Sequence, residues 1–160
     1  MAKKKKSQLS FTIFIILVLL AIVTVAVIDM VQPPGYVVAD VLEVDGSMVV
    51  LGSDCLAIVA ETSPERAYSI ELGIVGIIDG RPNTHDIFAE TLRSFNISLE
   101  YVTLDSYVDG IYYANLVLKS GEKFLKLDTK PSDAIALALR TNSTIYLNES
   151  LLEEVGQNIC

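Results

Sequence analysis

The apolar positions of this chain are unevenly spread. No charged residue occurs from Ser7 to Ile28, and Phe11–Ile28 is apolar apart from Thr12 and Thr24. At about 1.5 Å of rise per residue, such a run reaches roughly 33 Å and can cross a hydrocarbon core about 30 Å thick. A core helix of a globular domain would carry a polar stripe, and none is present. The pattern predicts a transmembrane helix over residues 7–30, preceded by a basic tail at 1–6. Thr24-Val25-Ala26 would make a weak signal-peptidase site, but the apolar run is longer than a signal peptide's, so a retained single-pass anchor is expected.

Beyond the linker at residues 31–35, which contains Gln32-Pro33-Pro34-Gly35, the pattern shortens into alternating runs separated by turn residues. Tyr36–Val44, Met48–Leu51 and Cys55–Ala60 read as strands, the first two joined by the hairpin signal Asp45-Gly46. Ser63-Pro64 opens a helix running to about Leu72, with Gly73 as its stop. Thr84 is expected to cap a helix over His85–Phe95, whose apolar stripe is Ile87, Phe88, Thr91, Leu92 and Phe95. Strands follow at Leu99–Tyr107, Ile111–Lys119 and Lys123–Leu127, with Asp109-Gly110 in the first connection. Pro131-Ser132 opens a helix from Asp133 to Arg140. A strand at Thr144–Leu147 and a helix at Glu149–Val155, closed by Gly156, complete the chain. The unit β-β-β-α thus occurs twice in residues 36–160. The expected fold is α+β, with a mostly antiparallel sheet and packed helices.

Charge orients the molecule. Lys3–Lys6 precede the apolar run, and no Lys or Arg follows it until Arg66, so the N-terminus is expected in the cytoplasm and the domain outside it, at the cell membrane. After Asp29 there are 8 basic and 19 acidic residues, a formal charge of −11. That disfavours tight nonspecific binding to duplex nucleic acid, which requires a basic surface. Outside the cytoplasm Cys55 and Cys160 could pair; the other reading is a core thiol at Cys55 and a free Cys160. With one histidine and no CxxC spacing, zinc-finger and two-histidine protease sites are excluded. Asn96, Asn142 and Asn148 each begin a glycosylation sequon, which fits an outside location.

Two polar clusters enter helices: Arg81-Pro82-Asn83-Thr84-His85-Asp86, and Asp128 through Ala138. The N–H groups of a helix N-terminus favour an anion such as phosphate. Arg81, Lys130, Ser132 and Arg140 could bind it, and His85, Asp86 and Asp133 could act on it. Asp86, Asp128 and Asp133 could hold a divalent cation, Mg²⁺ or Mn²⁺, which prefers oxygen ligands. The alternative is structural: Thr84 and Ser132 as caps, Asp86 and Asp133 as first-turn carboxylates, His85 as a boundary residue.

The runs RPNTHDIF (Arg81–Phe88) and KPSDAIALALR (Lys130–Arg140) resemble the bifunctional nuclease family over roughly Tyr36–Gly156. That resemblance implies a duplicated α+β domain that can form homo-oligomers, with hydrolysis of DNA and RNA as its activity. Lys130 stands where the family usually has Arg. The two functions in view are a membrane-anchored phosphodiesterase with nucleic acid as substrate, and a non-catalytic oligomerisation or partner-binding module.

Overall fold

The computed structural model describes residues 13–18, which are helical, and residues 32–160. Among the described residues no helix is long and apolar enough to cross a membrane. The span expected over residues 7–30 lies, apart from 13–18, outside them. Gly35–Cys160 forms one compact unit, separate from Met1–Pro34.

In the Gly35–Cys160 unit, strands β1 (Tyr36–Asp45), β2 (Met48–Ser53) and β3 (Leu56–Glu61) lead into helix α1 (Pro64–Val75). Helix α2 (Thr84–Ser94) intervenes. Strands β4 (Ser98–Val108), β5 (Ile111–Ser120) and β6 (Lys123–Thr129) then lead into α3 (Pro131–Thr141). Strand β7 (Thr144–Asn148), helix α4 (Glu149–Val155) and the two-residue β8 (Gln157–Asn158) complete the unit. The β-β-β-α unit does occur twice, and the fold is α+β.

All eight strands form one sheet in the order β6-β5-β4-β7-β1-β2-β3-β8. The β4–β7 pairing is parallel and the others are antiparallel. The two triplets flank β7, so each repeat supplies one wing. The turns follow from their residues: Asp109 (φ 51°) and Gly110 (φ 82°) both take the left-handed conformation that a tight two-residue hairpin demands.

Alternation in the strands sorts the two sheet faces. Val102, Leu104, Ala114, Leu116, Ile145 and Leu147 are buried in one core with Ala67 and Ile70 of α1 and Ala134, Leu137 and Ala138 of α3. Burying each large aliphatic side chain contributes about 1.5–3 kcal/mol. Equal steps from Pro64 and Pro131 pair Arg66 with Asp133, Ala67 with Ala134, Ile70 with Leu137 and Gly73 with Arg140.

Three local expectations are corrected. Gly73 does not stop α1, which continues to Val75 and ends on Gly76 in the left-handed conformation. Gly73 is an interior residue with a packing role: a Cβ there would meet Arg140 Nη1 and Leu139 Cβ, each at 3.0 Å. The cap of α2 is Asn83 rather than Thr84. Its side chain accepts from the N–H groups of His85 and Asp86, and the Asp86 carboxylate accepts from the Asn83 N–H, a reciprocal capping box. Ser132 is not a cap either; Lys130 holds the cap position of α3 without a side-chain bond.

Cys55 and Cys160 form a disulfide with Cα atoms 5.2 Å apart. It fastens β8 to the edge of β3, where Ile159 N–H also donates to the Cys55 carbonyl.

Candidate active site

The two polar clusters meet where α1, α2 and α3 converge, and Ser69 of α1 is at the centre. Its hydroxyl lies 2.9 Å from His85 Nδ1. Asn83 Nδ2 and Arg140 Nη2 each donate to Ser69 Oγ at 3.2 Å. The capping box fixes which end of the Asn83 amide points at Ser69. A hydroxyl has two acceptor lone pairs and one proton. With both lone pairs taken, the proton goes to His85 Nδ1. His85 is therefore neutral and carries its own proton on Nε2, which faces Asp133 Oδ1 at 3.4 Å. Burial holds His85 below its ordinary pKa, and the nearby Arg140 charge lowers it further against the pull of Asp133 and Asp86.

Arg140 turns inward and donates four hydrogen bonds within the protein. Nε donates to Asp86 Oδ1 at 2.6 Å, and the pair is buried, with side chains 8% and 9% exposed. Nη1 donates to the carbonyls of Ser69 and Ala136, which are equivalent positions in the two repeats. Burial alone would raise the Asp86 pKa. The Arg140 hydrogen bond, the Asn83 N–H and the Arg140 charge outweigh it and hold the carboxyl below the usual range. With its oxygens bound to Arg140 and the Asn83 backbone, Asp86 is a structural anion.

Asp133 is different, because its side chain is 38% exposed. It sits in the first turn of α3 between His85 and Arg66, whose Nε is 3.7 Å away. Nothing in the residues next to Arg66 marks it as a site residue. The available signal was its position in the repeat, one turn into α1 where α3 has Asp133.

The remaining expected residues are scattered. Arg81 is exposed in the turn before α2. Asp128 lies opposite Asn115 on β6, while its neighbour Leu127 lies opposite the core residue Leu116. Asp128 therefore points away from the helices. Among the described residues no three His, Cys, Asp or Glu side chains gather to hold a metal ion. Asp86, Asp128 and Asp133 thus do not fit Mg²⁺ or Mn²⁺ as a set: one is bound to Arg140, one points from the other face of the sheet, and one is left.

Two depressions adjoin the cluster. A groove of about 420 Å³ runs between the N-termini of α1 and α3, lined by Ser63, Arg66, Lys130, Ser132 and Tyr112 among others. An apolar depression of about 550 Å³ lies by the C-terminal half of α1 and α2, with Ile77, Ile78, Ile87 and Phe95 in its lining. Ser69 lines neither and is 6% exposed, so the Ser69–His85–Asp133 chain cannot present a nucleophilic hydroxyl to a substrate.

Residues 50–159 match the family model of the bifunctional nuclease domain. The chain belongs to that family. It is also 32% identical over 91 residues to uncharacterized proteins of two Mycobacterium tuberculosis strains, CDC 1551 / Oshkosh and ATCC 25618 / H37Rv. The match covers 57% of this chain and 54% of each relative, so the chain spans about half the length of the curated relatives it matches. Both stretches that carried the resemblance in the sequence lie inside the matched bifunctional nuclease domain. They supply His85, Asp86, Asp133 and Arg140 of the network, and α1 supplies Ser69.

Proposed function

We propose that the domain hydrolyses phosphodiester bonds of nucleic acid, with Asp133 as the general base. The observation behind this is the placement of one exposed carboxylate between His85 Nε2–H and Arg66, at a helix N-terminus, beside a groove that carries Lys130. Asp133 takes a proton from a water molecule as its oxygen bonds to phosphorus. The ester P–O bond breaks and the leaving oxygen takes a proton from solvent. Arg66 and Lys130 hold the non-bridging oxygens, where charge gathers in the transition state. His85 is a positioning residue that acts through Asp133, and Arg140 and Asp86 hold the three helices in register. We further propose that the chain is anchored in the cell membrane with this domain outside the cytoplasm. The disulfide supports that placement, since disulfides persist in oxidising compartments.

The test is hydrolysis of labelled DNA and RNA oligonucleotides in EDTA, in Mg²⁺ and in Mn²⁺. Asp133→Asn should lower the rate by at least about a hundredfold, the scale of losing one acid–base group. A wild-type protein inert in all three conditions sinks the reading. One observation favours the second function, a homo-oligomerising module. Ile74, Val75, Ile77, Ile78, Ile87 and Phe95 are all about half exposed or more around the apolar depression. Sedimentation of the full chain decides whether copies associate, and Ile78→Asp should then dissociate them.

A further inference from the structure

The groove between the N-termini of α1 and α3 has features that hydrolysis alone does not require. Ser132 lines it and is 8% exposed, yet its hydroxyl has no hydrogen-bond partner among the described residues. The hydroxyl is not shut off from solvent, so it is free to bond a ligand from the groove. Neither bordering helix has a side-chain cap bond from its cap residue, Ser63 in α1 and Lys130 in α3. Lys130 is exposed and forms no ion pair among the described residues. Tyr112 also lines the groove, on the helix-facing side of β5 with Ala114 and Leu116. Its ring is tilted against Tyr107, with centroids 4.4 Å apart.

We propose that this groove is a subsite for one nucleotide of a flexible single strand. The phosphate binds Lys130, the Ser132 hydroxyl and Arg66, and the base stacks on Tyr112. Two cations serve one phosphate, not a row of them. Duplex DNA carries a charge about every 1.7 Å of its axis, and the formal −11 of the chain after Asp29 opposes that density. A single strand can offer one phosphate and one unstacked base at a time, and base–aromatic stacking tolerates any base. The inference rests on the nuclease reading in naming a nucleotide as the ligand and in placing its phosphate on Lys130 and Arg66.

Binding to the full-length chain, followed by calorimetry, tests it separately from hydrolysis. The probes are inorganic phosphate, adenosine 5′-monophosphate, a single-stranded hexanucleotide and its duplex. The mononucleotide should bind about tenfold more tightly than phosphate, within the range that stacking contributes, and the hexanucleotide more tightly than the duplex. Tyr112→Leu should reduce the mononucleotide to the affinity of phosphate, and Tyr112→Phe should retain the difference. Lys130→Ala and Ser132→Ala should each weaken phosphate and mononucleotide several-fold together. Circular dichroism of each variant checks folding, and the Phe and Lys130 variants keep the test decisive if Tyr112→Leu unfolds. Equal affinity for phosphate and mononucleotide, or preference for the duplex, overturns the proposal. Hydrolysis that is indifferent to Tyr112 overturns it while leaving the nuclease reading standing. Nucleotide binding without hydrolysis supports the subsite and removes the nuclease reading.

Discussion

Gly73 and Arg140 occupy the same position in the two repeated helices, and the guanidinium of one lies where a side chain of the other would be. Gly73→Ala sets two effects against each other. Alanine is about 1 kcal/mol better than glycine in a helix interior. Its Cβ would meet Arg140 and Leu139 at 3.0 Å, and Arg140 is held by Asp86 and two carbonyls, so it cannot give way freely. Overpacking costs about 1–3 kcal/mol. The expected net result is a loss of about 0–2 kcal/mol in urea unfolding, and a stabilised Gly73→Ala protein would contradict this packing.

The Asp86–Arg140 pair should behave as a buried unit. Removing one partner leaves an uncompensated charge and costs about 3–5 kcal/mol. Asp86→Asn and Arg140→Met should each reach that range in chemical denaturation. The double variant should be less damaged than the sum, giving a coupling energy that exposed Arg93 and Glu90 should lack.

Acid should weaken the fold through His85. Its folded pKa lies below the ordinary value, so as pH falls below about 6.5 the unfolded chain takes up the proton first and is favoured. Stability should therefore decline from pH 7 toward the depressed folded pKa. The depressed Asp86 adds a separate loss at lower pH, as its carboxyl is protonated in the fold. Thermal melts of wild type and His85→Gln at pH 7.5 and 5.5 check this. The decline should be clearly smaller in the variant; an equal decline in both assigns it to other groups.

Loss of the disulfide should cost about 2–5 kcal/mol, the range for removing a native bridge from a small domain. Urea unfolding with and without a thiol reductant measures it. Cys160→Ser should show the reduced stability under both conditions.

The sequence carried the fold at the places where chemistry is local. Asp-Gly hairpins and Pro at the first helical position declare themselves, and both occur once in each repeat. What depended on distant partners was harder to read. Gly73 looks like a stop signal until Arg140, from the other repeat, lies against it. Thr84 and Asn83 are both able to cap, and the choice rests on Asp86 standing three residues after Asn83, a spacing that the sequence does contain. Asp128 is two residues from Lys130, but the parity of β6 turns it to the opposite face. Arg66 became visible as a site residue only when the two repeats were brought together in space. Strand β8, two residues long, has no periodicity to detect, and the Cys55–Cys160 pairing that holds it was one of two readings.

That bridge also changes what a protease can do to the molecule. The backbone from Cys55 to Cys160, with a sequence separation of 105, is closed into a covalent ring that includes both α1 and α3. One cut in an exposed turn, such as the one around Asp79–Arg81, opens the ring without releasing either piece. A nicked molecule would migrate as a single species until reduced, and its two halves would stay tethered with the paired helices still able to meet.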